Sequence, residues 1–215
     1  ATICRWLRAS SSADVDAEAW DERYRASELL WSAGPNIWVE RRLADAEPGR
    51  GLDLASGEGR NAIWLAKRGW EMTAVDFSSV AIERGRSLSD QVEFIEADVL
   101  TWEPEATDGS RGFDLVLIAY LQLEAEPLSD VVRRATTWVD PGGELFMVGH
   151  DISNLDEGVG GPQVPEILWD LDLMLEWLGD LHIVEAGIAK RPVEVDGDIE
   201  YARDTLIRAR ASESA

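Results

Sequence analysis

Residues 51–62 read Gly-Leu-Asp-Leu-Ala-Ser-Gly-Glu-Gly-Arg-Asn-Ala. A short apolar run leads into two glycines, Gly57 and Gly59, and Ile63-Trp64-Leu65-Ala66 continues as a helix opening. That is a strand, a tight turn and a helix in immediate succession. The turn lets backbone approach a ligand closely, and the helix start presents unpaired N–H groups and partial positive charge to it. A chain built around such a unit is an α/β chain, and the ligand lies at the carboxyl end of the strand.

The rest of the chain follows that lead. Apolar runs predict strands over 51–55, 70–76, 92–97, 113–119, 144–149, 182–189 and 199–209. Helical patterns separate them over 60–68, 78–89, 128–139 and 166–178, with Ser78 or Ser79 capping the second. Run 113–119 is almost wholly apolar, as a central strand covered on both faces requires. Asp196-Gly197-Asp198 signals a closing hairpin. The expectation is a doubly wound, mostly parallel seven-stranded sheet with helices on both faces and a C-terminal antiparallel hairpin. Ahead of it, residues 17–30 place Trp20 and Tyr24 on one helical face, and Pro35 suits the first turn of a helix over 35–46. Residues 1–13 read as a loose tail and 14–215 as one domain. Two irregular pieces, about 14–34 and 151–165, are expected lids.

Composition narrows the partners. Forty-two acidic residues against 20 basic ones give a net charge of −22. Such a chain is poorly suited to nucleic acid or to an anionic membrane, because both need cations to displace counterions. The single cysteine, Cys4, excludes an internal disulfide. Residues 1–8 are too short and interrupted for a signal peptide, and a cytoplasmic location is expected. No metal site is expected, although His150, Asp151 and Asn154 offer ligand types.

Acidic residues close the first three strands. Asp53 lies on the approach to the turn, Asp76 ends the second strand and Asp98 ends the third. Ligands of such sheets bind outside these ends, where strand order reverses. Asp76 there can accept both hydroxyls of a ribose. Asp98 can accept from an adenine amino group, with Phe77 and Val99 sandwiching the base. Gly57-x-Gly59-x-x-Ala62 formally satisfies a dinucleotide-binding pattern. Asp53 opposes that reading, since it repels a pyrophosphate and attracts an ammonium. A cationic ligand with adenine, ribose and an amino acid satisfies every position, and S-adenosylmethionine is such a ligand.

The stretch 52–61, with Leu65-Ala66, Gly69, Val75-Asp76 and Pro141-Gly142-Gly143, resembles the motifs of class I S-adenosylmethionine-dependent methyltransferases. Within them, Gly57-x-Gly59-Arg60-Asn61 is similar to the tellurite-resistance and thiopurine-type methyltransferases. The resemblance implies a Rossmann-like fold and methyl transfer to a small-molecule acceptor, by a monomer or homodimer. It implies that Asp53, Ala55, Gly57, Gly59 and Asn61 surround the methionine part, and that Asp76, Phe77, Ser78, Asp98 and Val99 hold the nucleoside. Ala119 and Tyr120 then lie near the sulfonium, and Trp20 covers the cofactor. Ala55 departs from the pattern, because many members have glycine there.

On the acceptor side, the candidates are Tyr120, His150 and Arg191. His150 follows the fifth strand and has a side chain suited to general-base work. Lys190-Arg191 is expected just after the sixth strand, where Arg191 can orient an anionic acceptor or pair with Glu194 or Asp196. Two other readings stay open: a non-catalytic cofactor-binding protein on the same fold, and a nucleotide-dependent oxidoreductase.

Overall fold

The computed structural model describes residues 17–26, 34–105 and 112–213. The expected tail with Cys4, and parts of the 14–34 segment and of the 101–112 loop, lie outside the described residues. Seven strands form one sheet: β1 (Arg50–Leu54), β2 (Glu71–Asp76), β3 (Val92–Glu96), β4 (Phe113–Ala119), β5 (Val139–His150), β6 (His182–Val195) and β7 (Asp198–Arg210). Their order is β3-β2-β1-β4-β5-β7-β6. β1 to β5 pair in parallel, and β7 runs antiparallel to both β5 and β6. The chain therefore leaves β1 toward one edge and returns at β4 toward the other. The crevice between β1 and β4 is where a ligand of an open sheet binds.

Alternation along the strands supplies two cores. Leu52 and Leu54 of β1 join Val116, Ile118, Leu145 and Met147 on one face, under helix α5 (Ala125–Thr136). Met72, Ala74, Leu115, Leu117, Phe146 and Val148 line the other. Helices α2 (Ile37–Leu43), α3 (Arg60–Ala66) and α4 (Ser79–Leu88) cover that second face. Asp53 alternates onto it, next to Ala74 and Leu117 in the pairing register. A carboxylate at a position built for an apolar residue marks the place where packing yields to chemistry.

Several boundaries differ from expectation. Pro35 lies outside α2, because the Asn36 side chain caps the helix by accepting from the Trp38 N–H. α5 begins at Ala125 and ends at Thr136, and Val139 already opens β5. The expected helix over 166–178 is a single 3₁₀ turn, Pro165–Ile167, followed by the short α7 (Leu171–Leu175). The cause is Trp169. It is extended, bridges to Asp151, and buries its ring while its Nε1 donates to the Leu121 carbonyl at 3.0 Å. Asp170 then caps α7 afresh. The hairpin turn is two residues, Asp196 (φ 53°) and Gly197 (φ 93°), the mirror-image type that matches strand twist. β6 extends through Val195, so Lys190 and Arg191 lie within that strand rather than after it.

The buried Trp169 ring is a packing limit on β5. A Cβ on Gly149 would sit 2.5 Å from that ring. Gly149→Ala is expected to cost about 1–3 kcal/mol by overpacking, read as a lower denaturant midpoint at unchanged slope. An unchanged midpoint would show that the ring has room to move.

Candidate active site

Four strand ends and one helix enclose a cavity of about 420 Å³. Ala55, Ser56 and Gly57 come from the turn after β1, Asp76 and Phe77 from the end of β2, and Asp98, Val99 and Leu100 from beyond β3. Ala119 to Leu123 follow β4, and Trp20 and Tyr24 of helix α1 (Ala17–Arg25) close one side. Ala55 (φ 54°) and Tyr120 (φ 60°) both take left-handed backbone at the ends of adjacent strands. Such conformations are costly for non-glycine residues and concentrate at sites of function.

Asp76 organises the wall. Its Oδ2 accepts from the Gly57 N–H at 2.8 Å, and its Oδ1 accepts from the Ser78 N–H at 2.9 Å. One carboxylate thus ties the glycine turn to the start of α4. Burial pushes its pKa up, against the two N–H groups that hold the charged form. Ser78 itself is fully buried and caps α4 through its Oγ. Gly59 does not line the cavity either. Its left-handed φ of 75° and a Phe94 ring 2.5 Å from where a Cβ would sit explain the glycine. Both residues shape the site from behind rather than touch its contents. Asn61 does line the cavity, and its Oδ1 accepts from the Asn36 N–H at 2.8 Å.

Asp53 lies beneath the cavity wall, 1% exposed, with neither carboxylate oxygen hydrogen-bonded among the described residues. Burial raises its pKa to about 7, offset only in part by the nearby Ala62 N–H and the Arg60 charge. An orphaned buried carboxylate is costly, and a cationic group placed above it would relieve that cost.

α1 is seated by Asp21, which the sequence reading passed over. Its carboxylate accepts from Ser78 Oγ at 2.5 Å, from Ser79 Oγ at 3.2 Å and from the Val80 N–H at 3.4 Å. An acid at the start of α4 is favoured by the helix dipole. The neighbouring Trp20 and Tyr24 rings, 6.0 Å apart, are thereby held at the cavity.

Beyond Tyr120 lies a second cluster, centred on Asp204 of β7, which is also absent from the sequence reading. Asp204 is fully buried. Its Oδ2 accepts from Tyr120 Oη, Trp38 Nε1 and Arg191 Nε, each at 2.8 Å. The expected Glu194 or Asp196 partner of Arg191 is replaced by this interior carboxylate. Burial alone would raise the Asp204 pKa, but His150 and Arg191 hold it down at about 2. Burial foremost, with the Asp204 charge, pushes the Tyr120 phenol above its ordinary range. Its proton is committed to Asp204, so Tyr120 is poorly suited to act as a base. His150 packs its ring against Tyr120 at 4.8 Å. Neither His150 nor Arg191 lines the cavity; they stand behind Tyr120.

The 151–165 segment does not line the cavity. Asp151 accepts from Thr205 Oγ1, Asn154 accepts from the Arg203 N–H and donates to the Gly160 carbonyl, and the Val159 N–H donates to Tyr201. These bonds lay the segment along β7. Gly161 lies over His150, where a Cβ would come within 3.0 Å of Nδ1. The expected lid over the cavity is a cover for the histidine.

Residues 52–143 match the model of a methyltransferase domain family. The chain is 30% identical over 149 residues to phosphoethanolamine N-methyltransferase 1 of Arabidopsis thaliana, spanning 66% of this chain and 28% of that protein. It shares its fold with the N-methyltransferase NodS of Bradyrhizobium japonicum in complex with S-adenosyl-L-homocysteine. There the TM-score is 0.66 and the identity 17%, over 92% of this chain and 99% of the other. It shares the fold also with TehB of Haemophilus influenzae, with a TM-score of 0.67 and 14% identity over 91% and 67%. Residues 52–143 thus form a methyltransferase domain, in a chain that has the fold of the solved methyltransferases. It spans between about a quarter and just over half the length of the curated relatives it matches.

The residues present fit the family's cofactor. Asp53 offers a buried carboxylate beneath the wall that Arg60 and the Ala62 N–H offset only in part, and Asp76 offers a second at its edge. Phe77, Val99 and Leu100 give apolar contact for a base, in a cavity of the size that holds small ligands.

Proposed function

We propose that this chain transfers the methyl group of S-adenosylmethionine to a small-molecule acceptor. The observation that carries the reading is the junction at Tyr120, where the cavity meets the Asp204, Arg191 and His150 cluster. S-adenosylmethionine supplies an electrophilic methyl group on a good leaving group. The protein's part is to orient, to exclude water and to take a proton. Asp76 holds the ribose hydroxyls, while Phe77 and Val99 flank the base and Asp98 faces its amino group. Asp53 attracts the ammonium, and Trp20 and Tyr24 shield the site from solvent. Arg191, cationic and about a quarter exposed, orients an anionic part of the acceptor. A net charge of −22 argues for a small acceptor rather than a polyanion. The phosphoethanolamine named for one relative is of that size.

The test is a panel of thiol, chalcogen-oxyanion, phenol and amine acceptors, with S-adenosylhomocysteine formation as the readout. Turnover on one of them is expected. Tight S-adenosylhomocysteine binding with no turnover on any would favour the non-catalytic reading.

Asp53 gives the reading a pH signature. The carboxylate must be ionised to attract an ammonium, and its pKa stands at about 7. Affinity for S-adenosylhomocysteine is therefore expected to rise up to about tenfold per pH unit toward neutrality and to level off above it. Calorimetry from about pH 5.5 to about pH 8.5 reads this directly. The rise should vanish in Asp53→Asn; a profile shared by both proteins would remove Asp53 from the account. The folding linkage has the opposite sense. The folded carboxylate binds its proton more tightly than the unfolded one, so apo stability falls as pH rises from about 4 to about 7.

A further inference from the structure

Two incompletely bonded groups face each other behind Tyr120. His150 Nδ1 is buried without a hydrogen-bond partner among the described residues. It lies 3.5 Å from Asp204 Oδ1. That oxygen is the less used of the pair. Three donors converge on Oδ2 at 2.8 Å, whereas Oδ1 has only Arg191 Nη2 at 3.4 Å and the facing imidazole. The register pairs His150 of β5 directly with Asp204 of β7, so the two side chains share one face of the sheet. The Tyr120 ring at 4.8 Å and the backbone of Gly161 hold the imidazole in place. His150 Nε2 is not among the sealed, unpaired atoms of the described residues, and the side chain keeps 11% of its surface exposed.

We propose that Asp204 is a positioning residue that keeps the His150 proton on Nδ1 and leaves the Nε2 lone pair open on the acceptor side. This rests on the methyltransferase reading given above. With an acceptor X–H, the X–H bond breaks, the proton goes to Nε2, and both electrons of the bond stay on X, which bonds to the methyl carbon as the methyl–sulfur bond breaks and its electron pair returns to sulfur. The resulting imidazolium donates its Nδ1–H to the Asp204 carboxylate. It loses the Nε2 proton to solvent once the methylated acceptor has left. The remaining contacts of Asp204 serve the same geometry. Trp38, Tyr120 and Arg191 occupy Oδ2 and so leave Oδ1 pointing at the imidazole. Arg191 offsets the carboxylate charge, while Tyr120 carries the cavity wall on its other side.

The chain has only two histidines, so nitrogen NMR of the imidazoles is simple to assign. His182 starts β6 at the far end of the sheet and is exposed, which makes it an internal reference. The protein is labelled on its histidine nitrogens and examined at about pH 8.5, well above the ordinary imidazole pKa of about 6.5. His182→Gln assigns the signals. In the wild type, His150 is expected with a protonated Nδ1 and a bare Nε2, opposite to the preference of free imidazole, while His182 shows the free pattern. Asp204→Asn should invert the His150 pattern. The amide oxygen must take the Oδ2 position, where three donors converge, so its NH₂ faces His150 and demands an acceptor there. A wild-type His150 protonated on Nε2, or an Asp204→Asn spectrum identical to wild type, would overturn the proposal. If the variant fails to fold, the wild-type spectrum alone decides. Turnover on the acceptor panel, measured on the same wild-type protein, tests the methyltransferase reading separately, because the tautomer is read without cofactor.

Discussion

Asp76→Asn should weaken S-adenosylhomocysteine binding by at least about 100-fold, or roughly 3 kcal/mol. Two losses combine. In the proposed reading, the charged acceptor for the ribose hydroxyls becomes a neutral amide, and hydrogen bonds to charged groups contribute about 1.5–3 kcal/mol. The amide NH₂ must also face either the Gly57 or the Ser78 N–H, since the native carboxylate accepts from both. Donor then meets donor, and either the glycine turn or the start of α4 is displaced. Calorimetric titration reads the affinity, and thermal melting shows whether the turn itself has loosened. An affinity within tenfold of wild type would mean that this edge of the cavity does not hold the ribose.

Asp204→Ala acts on the fold. It is expected to lower unfolding stability by about 3–5 kcal/mol, the usual cost of removing one partner of a buried ion pair. Arg191 loses its counter-ion, and both Tyr120 Oη and the buried Trp38 Nε1 lose their acceptor. The sign of the pH dependence follows from the direction of the shift. Asp204 is held down at about 2 in the folded chain. Its contribution is therefore fully present above about pH 4 and is lost as pH falls through about 2. Urea unfolding at neutral pH measures the loss, and the difference between the two proteins should shrink as pH falls from about 4 through about 2, because only the wild type has this contribution to lose. A loss below about 1 kcal/mol would show that the cluster relaxes onto another acceptor.

The sheet and the rim of the cavity were legible because their signals are local. Alternation, glycine at a turn and an acid at a strand end all fall within a few residues, as at 51–62, Asp76 and Asp98. The acceptor side was harder because its partners meet only in the folded sheet. His150, Arg191 and Asp204 come from three strands, and nothing near Arg191 in sequence announces Asp204. One signal was available. In 204–209, Thr205, Ile207 and Ala209 alternate with Asp204, Leu206 and Arg208, so Asp204 occupies an inward position in line with Leu206. An acid at such a position needs interior partners. The 166–178 stretch misled for the opposite reason. Its helical periodicity is real, but a single large ring, that of Trp169, is better buried from an extended backbone against Gly149. Gly59 and Ser78 entered as ligand contacts through the family resemblance; in the fold a Cβ on Gly59 would meet Phe94 and Ser78 caps α4, and neither lines the cavity.

The seating of α1 has a kinetic meaning. In the proposed reading, Trp20 and Tyr24 stand against a site whose contents leave after each turnover, and the Asp21 carboxylate next to Trp20 ties their helix to α4. Asp21 therefore works as a latch whose catch is the first turn of α4, the same segment whose Ser78 N–H reports the state of Asp76. Ordering the nucleoside end of the cavity and fastening its door draw on one short stretch of backbone. Loading of the cavity should then be felt at the latch, so that the door closes on an occupied site more firmly than on an empty one.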